Sequence, residues 1–205
     1  MNIRFASLLL AAAAPLALGG CDAFGPSIAT VECATTQTEC LNVWFESKFE
    51  EELAFSPIRQ TSLGRKTDYD KIDDMSLAGM QKLADWWQQS LGEMEANFDY
   101  EELTREAQLS YDMFAYRADQ AAKAVEFADQ EYILHQMNGT HTALPSFMLT
   151  QHKVESEEDM TAFIARLGGI GAAMEQLLKR AQDNANAGTR PPRFGYDAFH
   201  ARRAR

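Results

Sequence analysis

The sequence predicts an all-α fold of four main helices with an irregular central segment. Four stretches place apolar residues three and four positions apart, which is the spacing of one face of an α-helix. Helix-starting residues, Ser76 and Ser156, precede two of these stretches, and Pro57 and Gly188 follow the first and the last. With 205 residues, of which 46% are hydrophobic, the chain can bury a core, and one folded domain is expected.

Residues 1–20 have the composition of a secretory signal. Met1–Ser7 holds one base, and Leu8–Leu18 is apolar but too short to span a membrane. The run Leu18-Gly19-Gly20-Cys21 resembles the lipobox of bacterial lipoproteins, in which the peptidase cuts before the cysteine and lipid is attached there. We therefore predict a signal peptide over 1–20 and lipidation of Cys21. The mature protein would then be exported and membrane-anchored, facing the periplasm; a plain soluble secretory signal is the alternative.

Residues 21–40 are interpreted as a tether between the lipid and the domain, because they are mostly small, polar and aperiodic. Cys33 and Cys40 lie in this tether, and two cysteines in an oxidising compartment are expected to pair. We predict a disulfide between them, closing a small loop before the first helix. Two free thiols in a linker are the alternative. No further metal ligand lies nearby in the sequence, which disfavours a metal site.

The folded domain is expected over residues 41–199, and its first half contains two predicted helices. The first runs from about Asn42 to Ala54, with a core stripe at Phe45, Phe49 and Leu53 that Trp44 flanks. Ser56-Pro57 ends it. The second follows the N-cap Ser76 and ends near Asn97. Its predicted stripe is Met80, Ala84, Trp87, Leu91 and Met94.

Two capping-box patterns introduce the other predicted helices. Asp99 with Glu102 precedes a third helix over about residues 104–129, and Ser156 with Asp159 precedes a fourth that ends before Gly188. The predicted stripe of the third helix is Ala107, Tyr111, Phe114, Ala118, Ala121 and Val125. That of the fourth is Phe163, Leu167, Ile170, Met174, Leu177 and Ala181.

The central segment, Tyr132–Val154, shows no helical apolar spacing, and it holds three of the four histidines. Long irregular segments in compact domains usually carry function. His141, His152 and Asp70 are therefore candidates to line a cleft, and Asp70 is a candidate acid–base partner of His141. The alternatives are a His141 satisfied by neighbouring backbone and a His152 that is packed or at the surface. The aspartates of residues 68–74 lack the Gly turn and terminal Glu of a calcium loop, so capping and solvation explain them better than cation binding.

The charge of the chain limits its partners. A formal charge of −11 argues against nucleic acid, which requires a basic footprint, and against docking of the protein surface itself on anionic lipid. The last residues, His200–Arg205, are basic and differ sharply from the chain before them. This tail is interpreted either as a binding arm or as an out-of-frame ending.

Five separated blocks resemble the bacterial domain-of-unknown-function family 885. They are WFESKFEEELAFSPIRQTSLGRKTDYDKIDD (Trp44–Asp74), LSYDMFAYRADQA (Leu109–Ala121), QMNGTHTALPSFMLTQHKV (Gln136–Val154), DMTAFIARL (Asp159–Leu167) and RPPRFGYDAF (Arg190–Phe199). The resemblance covers about residues 41–199. It implies a larger α-helical fold similar to zinc metallopeptidases, often exported and often lipid-anchored.

The resemblance also implies a zinc site on an H-E-x-x-H-like helix in the C-terminal part of such proteins, where two His bind the metal and the Glu activates water. No His of this chain is followed by Glu, so no catalytic or metal-binding residue carries over and no cofactor is expected within this chain. The chain is therefore predicted to be an N-terminal fragment that lacks its catalytic part and is inactive alone. A peptide substrate is expected only for a full-length protein. A standalone periplasmic lipoprotein that acts as a binding or scaffold module is the alternative.

Overall fold

A computed structural model describes residues 36–135 and 139–194. These residues form α-helices joined by loops and two turns of 3₁₀-helix, and no β-strand occurs in the described part. The all-α fold class is therefore confirmed. The helices are α1 (Gln37–Leu53), α2 (Pro57–Ser62), α3 (Leu77–Asn97), α4 (Arg105–Glu126), α5 (Thr140–Thr150) and α6 (Glu157–Asn186), and the 3₁₀ turns are Tyr100–Glu102 and Ala128–Gln130.

Helix α1 begins earlier than the predicted start near Asn42, because a capping box precedes it. The Thr36 hydroxyl accepts from the Glu39 amide at 3.3 Å, and the Glu39 carboxylate accepts from the Thr36 amide at 3.1 Å. Two of the amides that a helix leaves unpaired at its start are thereby satisfied. The apolar spacing alone did not reveal this first turn.

The main core lies between α1, α3 and α4. The ring of Phe114 on α4 is the centre of an aromatic cluster, 5.1 Å from the ring of Trp44 and 4.8 Å from that of Trp87. Ala118 is fully buried, and its small side chain lets α3 and α4 approach closely. Burial of each large side chain here contributes about 1.5–3 kcal/mol. The buried members of this core are Leu41, Trp44, Trp87, Met94, Leu103, Ala107, Phe114 and Ala118.

Two predicted core stripes are correct only in part. On α1, Leu53 is buried as predicted and Phe45 packs against the core, but Phe45 and Phe49 are only half-buried, whereas Trp44 and Lys48 are buried. Lys48 is tolerated there because its ammonium pairs with Glu51 at 2.9 Å and with Glu93 at 2.7 Å. On α6 the predicted core residue Leu167 is 50% exposed, because the neighbouring Arg166 takes the buried position.

The segment Tyr132–Val154 is not irregular throughout, contrary to the prediction. Helix α5 occupies Thr140–Thr150, even though Pro145 lies inside it. Leu144, Phe147 and Met148 are its buried residues, at helical spacing. Helix α2 was also not predicted, since its six residues are too few for a periodic pattern. The Asp99 pattern starts a 3₁₀ turn, and α4 begins only after its own N-cap, Thr104.

Helix α6 packs across the loop between α2 and α3 and against the 3₁₀ turn that follows α4. Its Gln176 side chain accepts from the Met75 amide at 2.9 Å, and Asn184 donates to the Ala128 carbonyl at 2.9 Å. Gly169 meets Ile72 so closely that a Cβ there would lie 3.2 Å from its side chain. The predicted start at Ser156 is confirmed, since its hydroxyl accepts from the Asp159 amide at 3.2 Å. The loop and α6 are thus held as one layer.

Candidate functional site

One arginine lies where α2, α5, α6 and the loop between α2 and α3 meet. Arg166, on α6, has no exposed surface. Its Nε donates to the Lys71 carbonyl at 2.8 Å, and one terminal nitrogen donates to the Thr61 hydroxyl at 2.7 Å. The other terminal nitrogen lies 2.9 Å from Nδ1 of His152. Longer bonds of 3.3 Å go to the carbonyls of Pro57 and Asp68.

The guanidinium of Arg166 contacts mainly neutral polar groups and aromatic rings. Its central carbon lies 4.9 Å from the ring of Tyr69 and 5.2 Å from that of Phe147, and both faces favour a cation. Arg166 forms no ion pair with any residue that the structure describes. Burial lowers the pKa of Arg166, and the nearby Tyr69, Asp73 and Asp70 oppose this. An arginine nevertheless stays charged in a protein, so every N–H requires an acceptor.

His152 follows α5 and is buried with both ring nitrogens engaged. Because a guanidinium only donates, Nδ1 must accept from Arg166, and Nε2 must therefore carry the proton. Nε2 donates to the Asp159 carbonyl at 3.2 Å. The ring also stacks on Tyr69, with centroids 4.1 Å apart. Burial, together with the charge of Arg166, lowers the pKa of His152, so the imidazole is neutral and has no nitrogen available for proton transfer.

A second set of contacts surrounds this buried pair. The Asp159 carboxylate accepts from Lys66 Nζ at 2.8 Å and from the Glu155 amide at 2.9 Å, and these bonds hold the pKa of Asp159 below its usual value. The Tyr69 hydroxyl donates to the Lys153 carbonyl at 3.0 Å and accepts from the Lys153 amide at 2.9 Å. The loop before α3 is therefore fastened to the segment that joins α5 and α6.

Asp73 connects the same loop to the start of α2. Its carboxylate accepts from the Ser56 hydroxyl at 2.6 Å and from the Ile58 amide at 2.9 Å. A carboxylate at a helix start is favoured by the unpaired amides and the helix dipole. Burial nevertheless raises the pKa of Asp73, against the hydrogen bonds and the charge of Arg166. We interpret the whole cluster around Arg166 as a structural clamp, because its polar groups form their hydrogen bonds with one another.

The other two candidate residues are Asp70, in the loop beside this clamp, and His141, in α5. Asp70 is exposed and forms no hydrogen bond with any described residue. His141 lies in the first turn of α5 and is half-buried. A Cβ on Gly139 would collide with the imidazole of His141 and would lie 2.7 Å from the His135 carbonyl oxygen. The close packing of position 139 against both histidines therefore requires glycine. The pairing of Asp70 with His141 stays a prediction.

The cysteines and the terminal segments fall largely outside the described residues. Cys40, in the first turn of α1, is disulfide-bonded. Its predicted partner Cys33, the predicted lipidation site Cys21, the signal peptide and the basic tail at 200–205 all lie outside the described residues. Within residues 36–135 and 139–194, no three His, Cys, Asp or Glu side chains are grouped so that they could bind a metal ion. In the same ranges, no helix has the length and apolar character needed to cross a membrane.

Helix α6 exposes an apolar face on the side opposite Arg166. We name it the α6 outer face and define it by Met160, Ile164, Leu167, Gly171 and Leu178, which recur at helical spacing. Ile164 is 63% exposed, and no charged residue other than the buried Arg166 occurs between Thr161 and Met174. The exposed Glu175 lies on the same side of the helix, between Gly171 and Leu178. An exposed apolar patch on a folded domain often marks a surface that contacts another chain or a ligand. A shorter patch on α4 exposes Leu109, Met113 and Tyr116.

Sequence reasoning missed Arg166, although a signal for it was present. It is the lone charge within a long apolar stretch of α6 and takes a position in the buried stripe. A single arginine in such a position is expected to have buried acceptors, because an unpaired buried charge costs several kcal/mol. Which acceptors it meets depends on carbonyls of a distant loop, and the sequence pattern carries no information about those.

Comparison with known proteins identifies the family. No curated protein and no solved structure matches the chain. A family model described as "Bacterial protein of unknown function (DUF885)" matches residues 57–203. The match begins after α1, later than the resemblance had suggested, and extends past Phe199 into the basic residues. Because it spans well over half of the sequence, the chain belongs to the DUF885 family of bacterial proteins.

Proposed function

We propose that this chain is the N-terminal helical part of an exported, lipid-anchored protein related to zinc peptidases. In this proposal it supplies a rigid support and has no catalytic activity of its own. The observation that carries the proposal is the α6 outer face, a largely apolar helical surface, with Glu175 as its one exposed charge between Met160 and Leu178, that remains exposed in the described domain. Such a face matches what a helix of a C-terminal catalytic part would cover.

The clamp around Arg166 supports the same proposal. It fixes α6 to the loop before α3 through bonds on one side of the helix, and the outer face lies on the other side. A helix held in this way presents its free face in a fixed orientation, which reduces the entropy lost when a partner surface packs on it. The small residues Gly168, Gly171 and Ala172 would let a partner helix approach closely.

The zinc and the peptide substrate belong to the proposed catalytic part. No cofactor is proposed for residues of this chain. The membrane anchor is proposed to be lipid on Cys21, and metabolic labelling with a fatty acid tests it: the label should disappear in Cys21→Ser. Retention of the label in that variant would contradict the anchor.

The experiment that tests the proposal compares this chain with a product extended through the DNA downstream of it. The extended product is expected to bind zinc, measured by elemental mass spectrometry, and to cleave a mixture of fluorogenic peptides in a chelator-sensitive way. The chain alone should do neither. If no family-like reading frame follows in any register, or if the extended product holds no zinc, the proposal is wrong.

A standalone binding module is the second candidate function. A cleft between α1, α3 and α4 favours it, because all the residues that line this cleft belong to this chain. If the extended product does not exist, the cleft becomes the principal candidate for function.

A further inference from the structure

The cleft between α1, α3 and α4 lies apart from the clamp around Arg166, and its volume is about 420 Å³. Pockets of about 300–1,000 Å³ are of the size that holds small organic molecules. Its walls are largely aromatic, with rings contributed by each of the three helices. They are Phe45 and Phe49 of α1, Trp86 and Trp87 of α3 and Phe114 of α4.

Aromatic faces around this cleft already bind cations of the protein itself. The guanidinium carbon of Arg117 lies 4.6 Å from the ring of Trp87, and that of Arg59 lies 5.3 Å from the ring of Phe49. The negative face of an aromatic ring attracts a cation in this geometry. The surface of the cleft is therefore suited to positive charge combined with apolar bulk.

One lining charge of the cleft lacks a partner. The Glu52 carboxylate is paired with Arg59 at 3.1 Å and with Arg117 at 3.0 Å. Lys48 is paired with two carboxylates, Glu51 and Glu93. Glu46 is exposed and has neither a hydrogen bond nor an ion pair with any residue in the described ranges. The unmatched charge at the cleft is thus negative.

We propose that this cleft binds a small organic cation, with an apolar body against the aromatic rings and an ammonium or guanidinium group beside Glu46. The proposal does not depend on the proposed function. An anionic ligand is disfavoured, because Arg117 already has both a carboxylate and a ring as partners. The cation has two potential sources, a free small amine and a basic side chain of a peptide.

The test uses the chain itself and follows tryptophan emission, since two of its three tryptophans line the cleft. Three probes share a phenyl body and differ in charge: 2-phenylethylammonium, 2-phenylethanol and 3-phenylpropionate. The cation is expected to bind most tightly and the anion least. N-acetyl-arginine amide is titrated in parallel. Binding of the phenyl amine alone indicates a free amine, and tighter binding of the arginine derivative indicates a peptide side chain.

Glu46→Gln should weaken binding of the cation by about two- to fivefold, as expected for an exposed charge pair, and leave the neutral probe unchanged. The matched control is Glu95→Gln, an exposed α3 position outside the cleft that changes the net charge equally. It should have no effect, which separates local contact from attraction by the overall charge of −11. Equal affinity for all three probes, preference for the anion, or equal losses in the two variants would overturn the proposal.

Discussion

Replacing Arg166 by methionine should strongly destabilise the domain, because its hydrogen-bond partners cannot follow the substitution. Methionine keeps the apolar stem between Tyr69 and Phe147 but donates nothing. The Lys71 carbonyl, the Thr61 hydroxyl and His152 Nδ1 lie 2.8, 2.7 and 2.9 Å from nitrogens of the guanidinium, and each would lose its hydrogen-bond donor. Each hydrogen bond to a charged group contributes about 1.5–3 kcal/mol, and a buried acceptor left without a donor costs about 1–3 kcal/mol.

Removing the buried charge of Arg166 is itself favourable, and this partly offsets the loss of hydrogen bonds. Burying a charge costs several kcal/mol, and replacing a whole buried ion pair by apolar residues is often neutral. Here the partners are mainly backbone carbonyls, which no single substitution removes, so the loss of hydrogen bonds should dominate. We expect the free energy of unfolding to fall by about 3–5 kcal/mol. For a chain of this size, this corresponds to a melting temperature lower by about 6–20 °C.

Urea unfolding followed by circular dichroism measures the change in Arg166→Met. Arg166→Lys separates charge from geometry: it keeps the charge without the planar fork and should lose about 2 kcal/mol. The control is Arg105→Met at an exposed position, where a change within about 0.5 kcal/mol is expected. If Arg166→Met were no less stable than Arg105→Met, the description of this cluster as a structural clamp would be refuted.

Three further predictions concern His152, Gly139 and Cys40. The folded-state pKa of His152 lies below its unfolded value of 6.5, so its contribution to stability is complete above that pH and is lost as the pH falls below it. Urea titrations at about pH 7.5 and about pH 5.5 should show a decrease of at most about 1.4 kcal/mol per pH unit from this group, and His152→Gln should reduce the slope. Asp73 has the opposite effect on stability at lower pH: its folded-state pKa is raised above 3.8, so it stabilises the folded state as the pH falls. If His152→Gln left the slope unchanged, the pH dependence would belong to other groups. Gly139→Ala should destabilise by about 1–3 kcal/mol through the collision with His141 and the His135 carbonyl, and a neutral result in thermal unfolding would contradict that crowding. Cys40→Ser should lower the free energy of unfolding by about 2–3 kcal/mol, and reductant should have the same effect on the parent protein. If the count of free thiols were the same with and without reductant, the predicted pairing with Cys33 would be contradicted.

The sequence predicted the long helices well where local signals coincide. Ser76 and Ser156 cap α3 and α6 as expected, because a hydroxyl before an apolar-periodic stretch is a local feature. Helix α5 was not predicted because the segment Tyr132–Val154 was interpreted as lacking helical apolar spacing, whereas Leu144, Phe147 and Met148 do have it, on a helix that contains Pro145. Tertiary packing overrides the local cost of the proline.

Other features depend on contacts far apart in the chain. The buried stripe of α1 includes Lys48, which pairs with Glu93 of the distant helix α3 as well as with the neighbouring Glu51. The clamp joins Arg166 to residues about a hundred positions earlier, such as Thr61 and Lys71. A single sequence shows neither pairing, since no local pattern encodes which carbonyl meets a buried guanidinium. His152 was singled out from the sequence, but its role as an acceptor for Arg166 became apparent only in the structure.

The accessibility of the α6 outer face tests the central claim most directly. Ile164→Cys, made in a Cys21→Ser background, places a thiol in the middle of that face, and Val43→Cys on α1 is an exposed control. In the chain alone, both thiols should react rapidly with a maleimide. In the product extended through the downstream reading frame, only the thiol at position 164 should become protected. Equal reactivity of both thiols in the extended product would contradict the claim that this face packs against a C-terminal part.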